Sequence, residues 1–199
     1  NGLEPDQQAK DGAMCFKRTT AANLPEPMTK AHFLARSVAE RCRTHDKSQP
    51  FFWMTSIFEP HSPFTGPHND LLDPESLPVG EAFARLPADN HSLRGRTHAD
   101  QIATVDRGMD NASPEGLRRL RARYLGLVKL VDNAVGLILD ALEENGQMEN
   151  TIIVYASDHG EMVGDHFTLH KSLLYEEAAR VPLIIRVPGE EPRRITQPV

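Results

Sequence analysis

A long amphipathic helix followed closely by an apolar strand is the pattern that most restricts how this chain can fold. Between residues 117 and 142, apolar side chains recur every three or four positions, which predicts a helix of about eight turns with one buried face. Ser113 and Pro114 are typical of a helix start, and Asn145-Gly146 is typical of a helix end. After a short loop the chain enters the wholly apolar run TIIVYA. Such a run indicates a strand that is buried on both faces of a parallel sheet.

The remaining predicted elements alternate between helix and strand. A helix at Thr29–Arg43, with Thr29 as its N-cap, precedes a strand at Phe51–Phe58. Two further strands are predicted at Thr151–Ser157 and Val181–Gly189, with a short helix at Leu174–Arg180 between them. This order predicts an α/β domain with a mainly parallel sheet flanked by helices. The predicted inner face of the first helix consists of Phe33, Leu34, Val38 and Cys42.

The chain length of 199 residues suits one domain with a sizeable core. We interpret residues 1–199 as a single partial domain with a polar lead-in at 1–28 and a long loop excursion at 66–112. Long loops of this kind commonly shape a functional site. The opening NGLEP contains no Met, which is typical of an internal or processed piece of a longer protein.

Composition excludes several classes of partner. A net charge of −6 and a pI near 5.8 argue against a broad nucleic-acid surface. No apolar run approaches the roughly 20 residues that span a bilayer. Cys15 and Cys42 are far apart, in neither a CxxC nor a zinc spacing, and are interpreted as ordinary thiols. No feature assigns a compartment or an oligomeric state.

Chemically active side chains follow two of the predicted strands. His61 follows the first strand, and Asp158 and His159 follow the run TIIVYAS. Because ligands in α/β sheets lie beyond the carboxyl ends of the strands, these residues are predicted to converge on one crevice. A carboxylate beside an imidazole suits a divalent metal, although two ligands are too few to hold one. The alternative is a solvated Asp–His pair in a loop.

The other candidates also have two interpretations each. His61 is either a turn histidine between Pro60 and Pro63 or a donor to an anionic group. Lys171 is either a surface lysine or a point charge directed at a sulfate or phosphate oxygen. His166 and His170 are either outer-sphere groups or solvated loop residues.

Four segments taken together resemble the type I sulfatase family of the alkaline phosphatase superfamily. They are PFFWMTSIFEPHSPF, NDLLDPESLP, TIIVYASDHGEMVGDH with a Lys five residues later, and LLYEEAARVPLIIRVPG, between about Pro50 and Gly189. The resemblance implies an α/β sandwich with a hydrolytic site at the carboxyl edge of the sheet. It implies that Asp158 and His159 are metal ligands, and that His61 and Lys171 contact the anionic group of an ester. The metal it implies is most often Ca²⁺, with Mn²⁺ or another divalent ion in relatives that cleave phosphonate monoesters and phosphate diesters.

The chain departs from the family pattern in its nucleophile. The family uses a formylglycine made within a Cys-x-Pro-x-Arg or Ser-x-Pro-x-Arg motif, and neither motif occurs here. Cys15 is followed by Phe-Lys-Arg-Thr and is not assigned this role. The motif and a pair of metal-binding aspartates are expected before Asn1, so we expect no appreciable turnover from this chain alone. Phe167 stands where relatives usually have Gly.

Three functional hypotheses follow. The first is a segment of a sulfuric ester hydrolase acting on a small-molecule or glycan sulfate ester, without a nucleic-acid partner or a membrane segment. The second is a phosphonate monoester or phosphodiester hydrolase of the same superfamily. The third is a non-catalytic, degenerate fragment that keeps the sheet.

Overall fold

The computed structural model describes residues 24–83, 85 and 113–196. Its helices are α1 (Lys30–Thr44), α2 (Pro114–Glu144) and α3 (Glu176–Ala179), and its strands are β1 (Ile153–Ala156) and β2 (Leu183–Arg186). Short 3₁₀ turns lie at Glu26–Met28, Pro74–Ser76, Met148–Asn150 and Asp165–Phe167.

The ends of the two long helices follow from local capping. The Thr29 side chain accepts a hydrogen bond from the backbone N–H of His32 at 3.3 Å, and Ser113 accepts from Gly116 at 3.0 Å. These oxygens satisfy backbone donors that have no partner inside the helix. At the other end of α2, Gly146 has a φ of 64°, which glycine adopts without strain. Both predicted N-caps and the predicted end of α2 are confirmed. Within the described residues, no helix combines the length and apolarity needed to cross a bilayer.

Helices α1 and α2 pack through small side chains on α1. Ala31, Ala35 and Ala39 are buried, whereas Phe33 is 68% exposed. The predicted inner face of α1 was therefore wrong at Phe33, because the close approach of α2 leaves room for methyl groups rather than for a ring. Cys42 is buried as predicted, and it forms no disulfide within the described residues. The predicted stripe of α2 is confirmed at Leu117, Leu120, Leu127, Val131, Ala134 and Leu142, which are buried, and Tyr124 and Ile138 pack against it.

The two described strands pair antiparallel, with Ile153 opposite Arg186 and Ala156 opposite Leu183. The predicted order had suggested parallel neighbours in this part of the sheet. A parallel pair needs a crossover that carries the chain back along the sheet, usually a helix of several turns. Beside the 3₁₀ turn Asp165–Phe167, the one helix between β1 and β2 is the four-residue α3, too short to carry the chain back along the sheet, and the chain re-enters the sheet from the end at which it left.

The predicted strand at residues 51–58 is not a strand in the described part of the chain. A strand is defined by its ladder of hydrogen bonds. No backbone hydrogen bond joins residues 51–57 to another described segment. The expectation that β1 is buried on both faces is also wrong for the described residues, because Val154 is 60% exposed.

The described start of the long excursion is fixed on α2 by arginine side chains. Arg118 Nε donates to the Leu77 carbonyl at 3.1 Å, and Arg121 Nη1 donates to the Val79 carbonyl at 2.7 Å. Residues 1–23, 84, 86–112 and 197–199 lie outside the described residues, and Cys15 is among them. The domain boundaries given above therefore stay a prediction.

Candidate active site

The loop that leaves β1 carries most of the candidate residues, and we name residues 157–175 the site loop. Its first turn is held by the backbone N–H of Gly160, which donates to the Ala178 carbonyl at 2.8 Å. A Cβ atom at Gly160 would lie 2.0 Å from the Glu177 carbonyl oxygen. Only glycine allows the chain to pass so close to α3. The glycine after the Asp–His pair is therefore required by packing.

The middle of the site loop is unusually strained. Five non-glycine residues in the described chain have positive φ, and all lie between 163 and 172. Such conformations cost of order 1 kcal/mol or more each and cluster at functional sites. Phe167 has a φ of 55°, so phenylalanine here adopts the conformation that a glycine would adopt freely. Phe167 therefore has a left-handed conformation at the position where the sequence departs from the family pattern.

His61 and Lys171 are in direct contact although they are 110 positions apart in the sequence. Lys171 Nζ lies 2.9 Å from His61 Nε2. The other ring nitrogen, Nδ1, lies 2.8 Å from the Ser62 carbonyl oxygen, so Nδ1–H donates there and Nε2 accepts from the ammonium. The Phe58 ring lies against the imidazole at a centroid distance of 4.4 Å. These contacts fix the tautomer and the plane of the His61 ring.

Asp158 and His159 form a second pair. His159 Nδ1 donates to the Gly160 carbonyl at 2.7 Å, which leaves the lone pair of Nε2 available. That Nε2 atom lies 3.7 Å from Asp158 Oδ2, a separation that suits two adjacent ligands on one divalent ion. The Asp158 side chain is 87% exposed and its Oδ1 accepts the His159 N–H. Within the described ranges, no cluster of three or more potential ligands forms.

The contacts bring together His61 with Lys171, and Asp158 with His159. The convergence of these two pairs on one crevice stays a prediction. The second Asp–His pair of the sequence behaves differently from the first. Asp165 Oδ1 accepts from Arg121 at 2.7 Å, and the His166 ring stacks on Tyr175 at 4.3 Å. Burial raises the pKa of Asp165, and the Arg121 guanidinium opposes that rise.

Glu161 is the residue that sequence reasoning missed. Its side chain is 8% exposed, and Oε1 accepts the backbone N–H of His170. Burial raises the pKa of Glu161, while the accepted N–H groups and the electrostatic interactions with Lys171 and His61 lower it. The one sequence signal is a lone acid placed between glycine and the apolar pair Met162-Val163.

The His170 side chain is 29% exposed and lies beside Glu161, His61 and Lys171. Burial lowers the pKa of its imidazole, and His61 and Lys171 act in the same direction. The His170 ring lies near both His61 and Phe64, with centroid distances of 6.4 Å in each case. Of the two interpretations given above, partial burial beside His61 and Lys171 favours the outer-sphere group.

The fold of this chain is similar to that of a solved hydrolase structure. The phosphonate monoester hydrolase of Silicibacter pomeroyi superposes with a TM-score of 0.67 at 29% identity, covering 96% of this chain and 40% of that chain. The predicted alkaline-phosphatase/sulfatase-like α/β fold is thereby confirmed, with this chain as a part of it.

The amino-acid sequence of the chain is similar to those of sulfatases. The Sulfatase family model matches residues 18–199. An arylsulfatase of Clostridium perfringens is 37% identical over 74% of this chain and 30% of its own length. An N-acetylglucosamine-6-O-sulfatase of Bacteroides thetaiotaomicron is 49% identical over 60% of this chain and 22% of its own length. The chain belongs to the sulfatase family, which implies use of a divalent metal ion. It spans about a third or less of the length of these relatives.

Proposed function

We propose that the complete protein carrying this chain is a sulfuric ester hydrolase. This chain supplies two of its parts, the hydrogen-bonded pair of Lys171 and His61 and half of a metal site. We name Lys171 and His61 the cationic pair, because the Lys171 ammonium gives the pair one positive charge and contacts the sulfate group, while neutral His61 accepts a hydrogen bond from it. The overall reaction breaks the S–O bond of the ester. Water provides the new oxygen on sulfur and the proton on the released alcohol, so sulfate and an alcohol are formed.

The contact between Lys171 and His61 is the observation that carries this proposal. One ammonium proton points to His61 Nε2, which leaves two N–H donors on Lys171 for anion oxygens. Because both residues are held by the surrounding chain, their dipoles need little reorganisation when negative charge develops on the ester oxygens. A surface lysine without such a partner would lack this preorganisation.

Asp158 and His159 are proposed to hold the divalent ion, which we take to be Ca²⁺. Asp158 Oδ2 and His159 Nε2 are the donor atoms, and the Gly160 carbonyl fixes the tautomer of His159. When bound, the ion supplies Lewis-acid stabilisation of negative charge. The remaining ligands and a formylglycine nucleophile are proposed to come from outside this chain.

The proposed substrates are sulfate monoesters of small molecules or glycans. Support comes from the names of two relatives, an arylsulfatase and an N-acetylglucosamine-6-O-sulfatase. The organic part of the substrate is proposed to contact the excursion at 66–112, since its described start is anchored on α2 beside the site loop.

The experiment is a Lys171→Ala substitution in the complete protein, assayed with 4-nitrophenyl sulfate. We expect kcat/KM to fall about 10²-fold, as for other preorganised donors. Lys129→Ala is the matched control, because among the described residues Lys129 forms its ion pair with exposed Asp132 on the surface of α2. Unchanged turnover by Lys171→Ala would refute the assignment.

A second candidate is hydrolysis of phosphonate monoesters, favoured by the structural match to the Silicibacter pomeroyi enzyme. The same cationic pair and metal ligands suit a tetrahedral phosphorus centre. Parallel assays on 4-nitrophenyl sulfate and 4-nitrophenyl phenylphosphonate separate the two functions. A higher kcat/KM for the phosphonate would replace the sulfatase proposal with this one.

A further inference from the structure

Glu161 is a buried carboxylate whose hydrogen bonds go to the site loop itself. Its Oε1 accepts the backbone N–H of His170, the residue immediately before Lys171. The same oxygen lies 3.5 Å from the backbone nitrogen of Val163. One carboxylate oxygen therefore joins both ends of the segment 163–170.

The backbone on either side of Lys171 is strained. His170 has a φ of 68° and Ser172 a φ of 80°. Such conformations persist only where surrounding contacts over-determine them. Two hydrogen bonds within the described chain hold the His170 backbone, since its N–H is accepted by Glu161 and its carbonyl accepts the Met162 N–H at 3.0 Å. Of the two, only the contact with Glu161 is made by a side chain and can be removed by substitution.

Glu161 also faces the cationic pair. The Glu161 carboxylate interacts electrostatically with Lys171 and His61, and its Oε2 lies 3.9 Å from His170 Nδ1. Displacing the His170 backbone would move the Lys171 ammonium away from His61 Nε2, because only one peptide unit separates the two positions. A displacement of about 1 Å at a reacting group is enough to lower rates by up to ~10²-fold.

We propose that Glu161 is a positioning residue for the cationic pair: by accepting the His170 N–H it holds Lys171 at His61, where the ester anion is bound. This inference rests on the proposed function of Lys171 and His61. Glu161 itself does not contact the substrate. Its effect is exerted through Lys171 and is absent when Lys171 is absent.

A double-mutant cycle in the complete protein tests this inference. Glu161→Ala is expected to lower kcat/KM on 4-nitrophenyl sulfate about tenfold or more, and to weaken competitive inhibition by inorganic sulfate in parallel. Glu161→Gln retains an acceptor oxygen and is expected to recover most of the loss. In the Lys171→Ala background, Glu161→Ala is expected to cause little further loss.

Glu26→Ala is the matched control, because this carboxylate is also partly buried but bonds to His68 and Asn133. We expect it to lower thermal stability while leaving the inhibition constant for sulfate unchanged. Equal losses from Glu161→Ala in the wild-type and Lys171→Ala backgrounds would overturn the inference, as would failure of Glu161→Gln to recover activity. If Lys171→Ala alone has no effect, the proposed function fails instead.

Discussion

In the helix pair of α1 and α2, two segments distant in sequence are held together by apolar side chains and begin at local caps. In the site loop, by contrast, the chain is held by hydrogen bonds from buried polar groups and by residues in left-handed conformations. The first arrangement tolerates exchange of one methyl-sized group for another. The second depends on particular atoms, such as Glu161 Oε1 and the Gly160 N–H. Stability is therefore expected to be spread through the helix pair, and function to be concentrated in the site loop.

The largest expected effect is a loss of turnover with little change in thermal stability. In the complete protein, Asp158→Ala should abolish metal-dependent turnover, because it removes a charged ligand from the ion. Since Asp158 is largely exposed, the thermal unfolding midpoint should change little. The check is turnover measured against added CaCl₂ or MnCl₂, together with calorimetry.

Asp140→Ala is the matched control for this change, because Asp140 is an exposed aspartate on α2. It should retain full turnover. If Asp158→Ala kept the metal dependence of the wild type, Asp158 would not be a metal ligand. The proposed difference between the site loop and the helix pair would then be refuted as well.

A glycine substitution in each region gives an effect of intermediate size and opposite sign. Gly160→Ala should destabilise the protein by about 1–3 kcal/mol, because the new Cβ must displace the Glu177 carbonyl. Gly136→Ala in α2 should stabilise it by about 0.5–1 kcal/mol, because a Cβ there meets nothing within 4 Å and alanine favours a helix. Denaturant unfolding measures both free energies. Equal changes in the free energy of unfolding at Gly160 and Gly136 would contradict the proposed difference between the site loop and the helix pair.

The smallest expected effect is a pH dependence that arises in the site loop. The pKa of His170 is lowered from 6.5 by burial, and by His61 and Lys171, while the facing Glu161 carboxylate lies close by. The folded state therefore binds this proton less readily than the unfolded state does. The stability that neutral His170 contributes is present above about pH 6.5 and is lost as the pH falls below that value.

Unfolding free energies measured between pH 7.5 and pH 5 check this prediction. His170→Asn should flatten the decline. A decline of the same slope in the wild type and in His170→Asn would show that other groups cause it.

Several parts of the molecule were predictable because their causes are local. The caps Thr29 and Ser113, and the stop at Gly146, depend on residues within one turn of the helix end. The apolar stripe of α2 follows from the helical period alone. The four candidate site residues came from their positions along the chain and their roles from the family resemblance, and two of them, His61 and Lys171, proved to be in contact.

Other parts depended on distances that no local pattern encodes. The face of α1 that is buried carries alanines, because α2 approaches it closely. The antiparallel pairing of β1 with β2 depends on the path of the chain between them, which contains no helix longer than α3. Glu161 was missed because a single acid in a loop gives no periodic signal, and its partner N–H lies nine positions away.

The amino-acid sequence by itself determined the helices, their caps and the family to which this chain belongs, because each of these depends on residue types at fixed spacing. Only the tertiary structure decided which face of α1 is buried, how β1 and β2 are oriented, and that Lys171 meets His61 beside a buried Glu161. The physical reason is that burial and hydrogen bonding between distant segments depend on how the chain returns on itself.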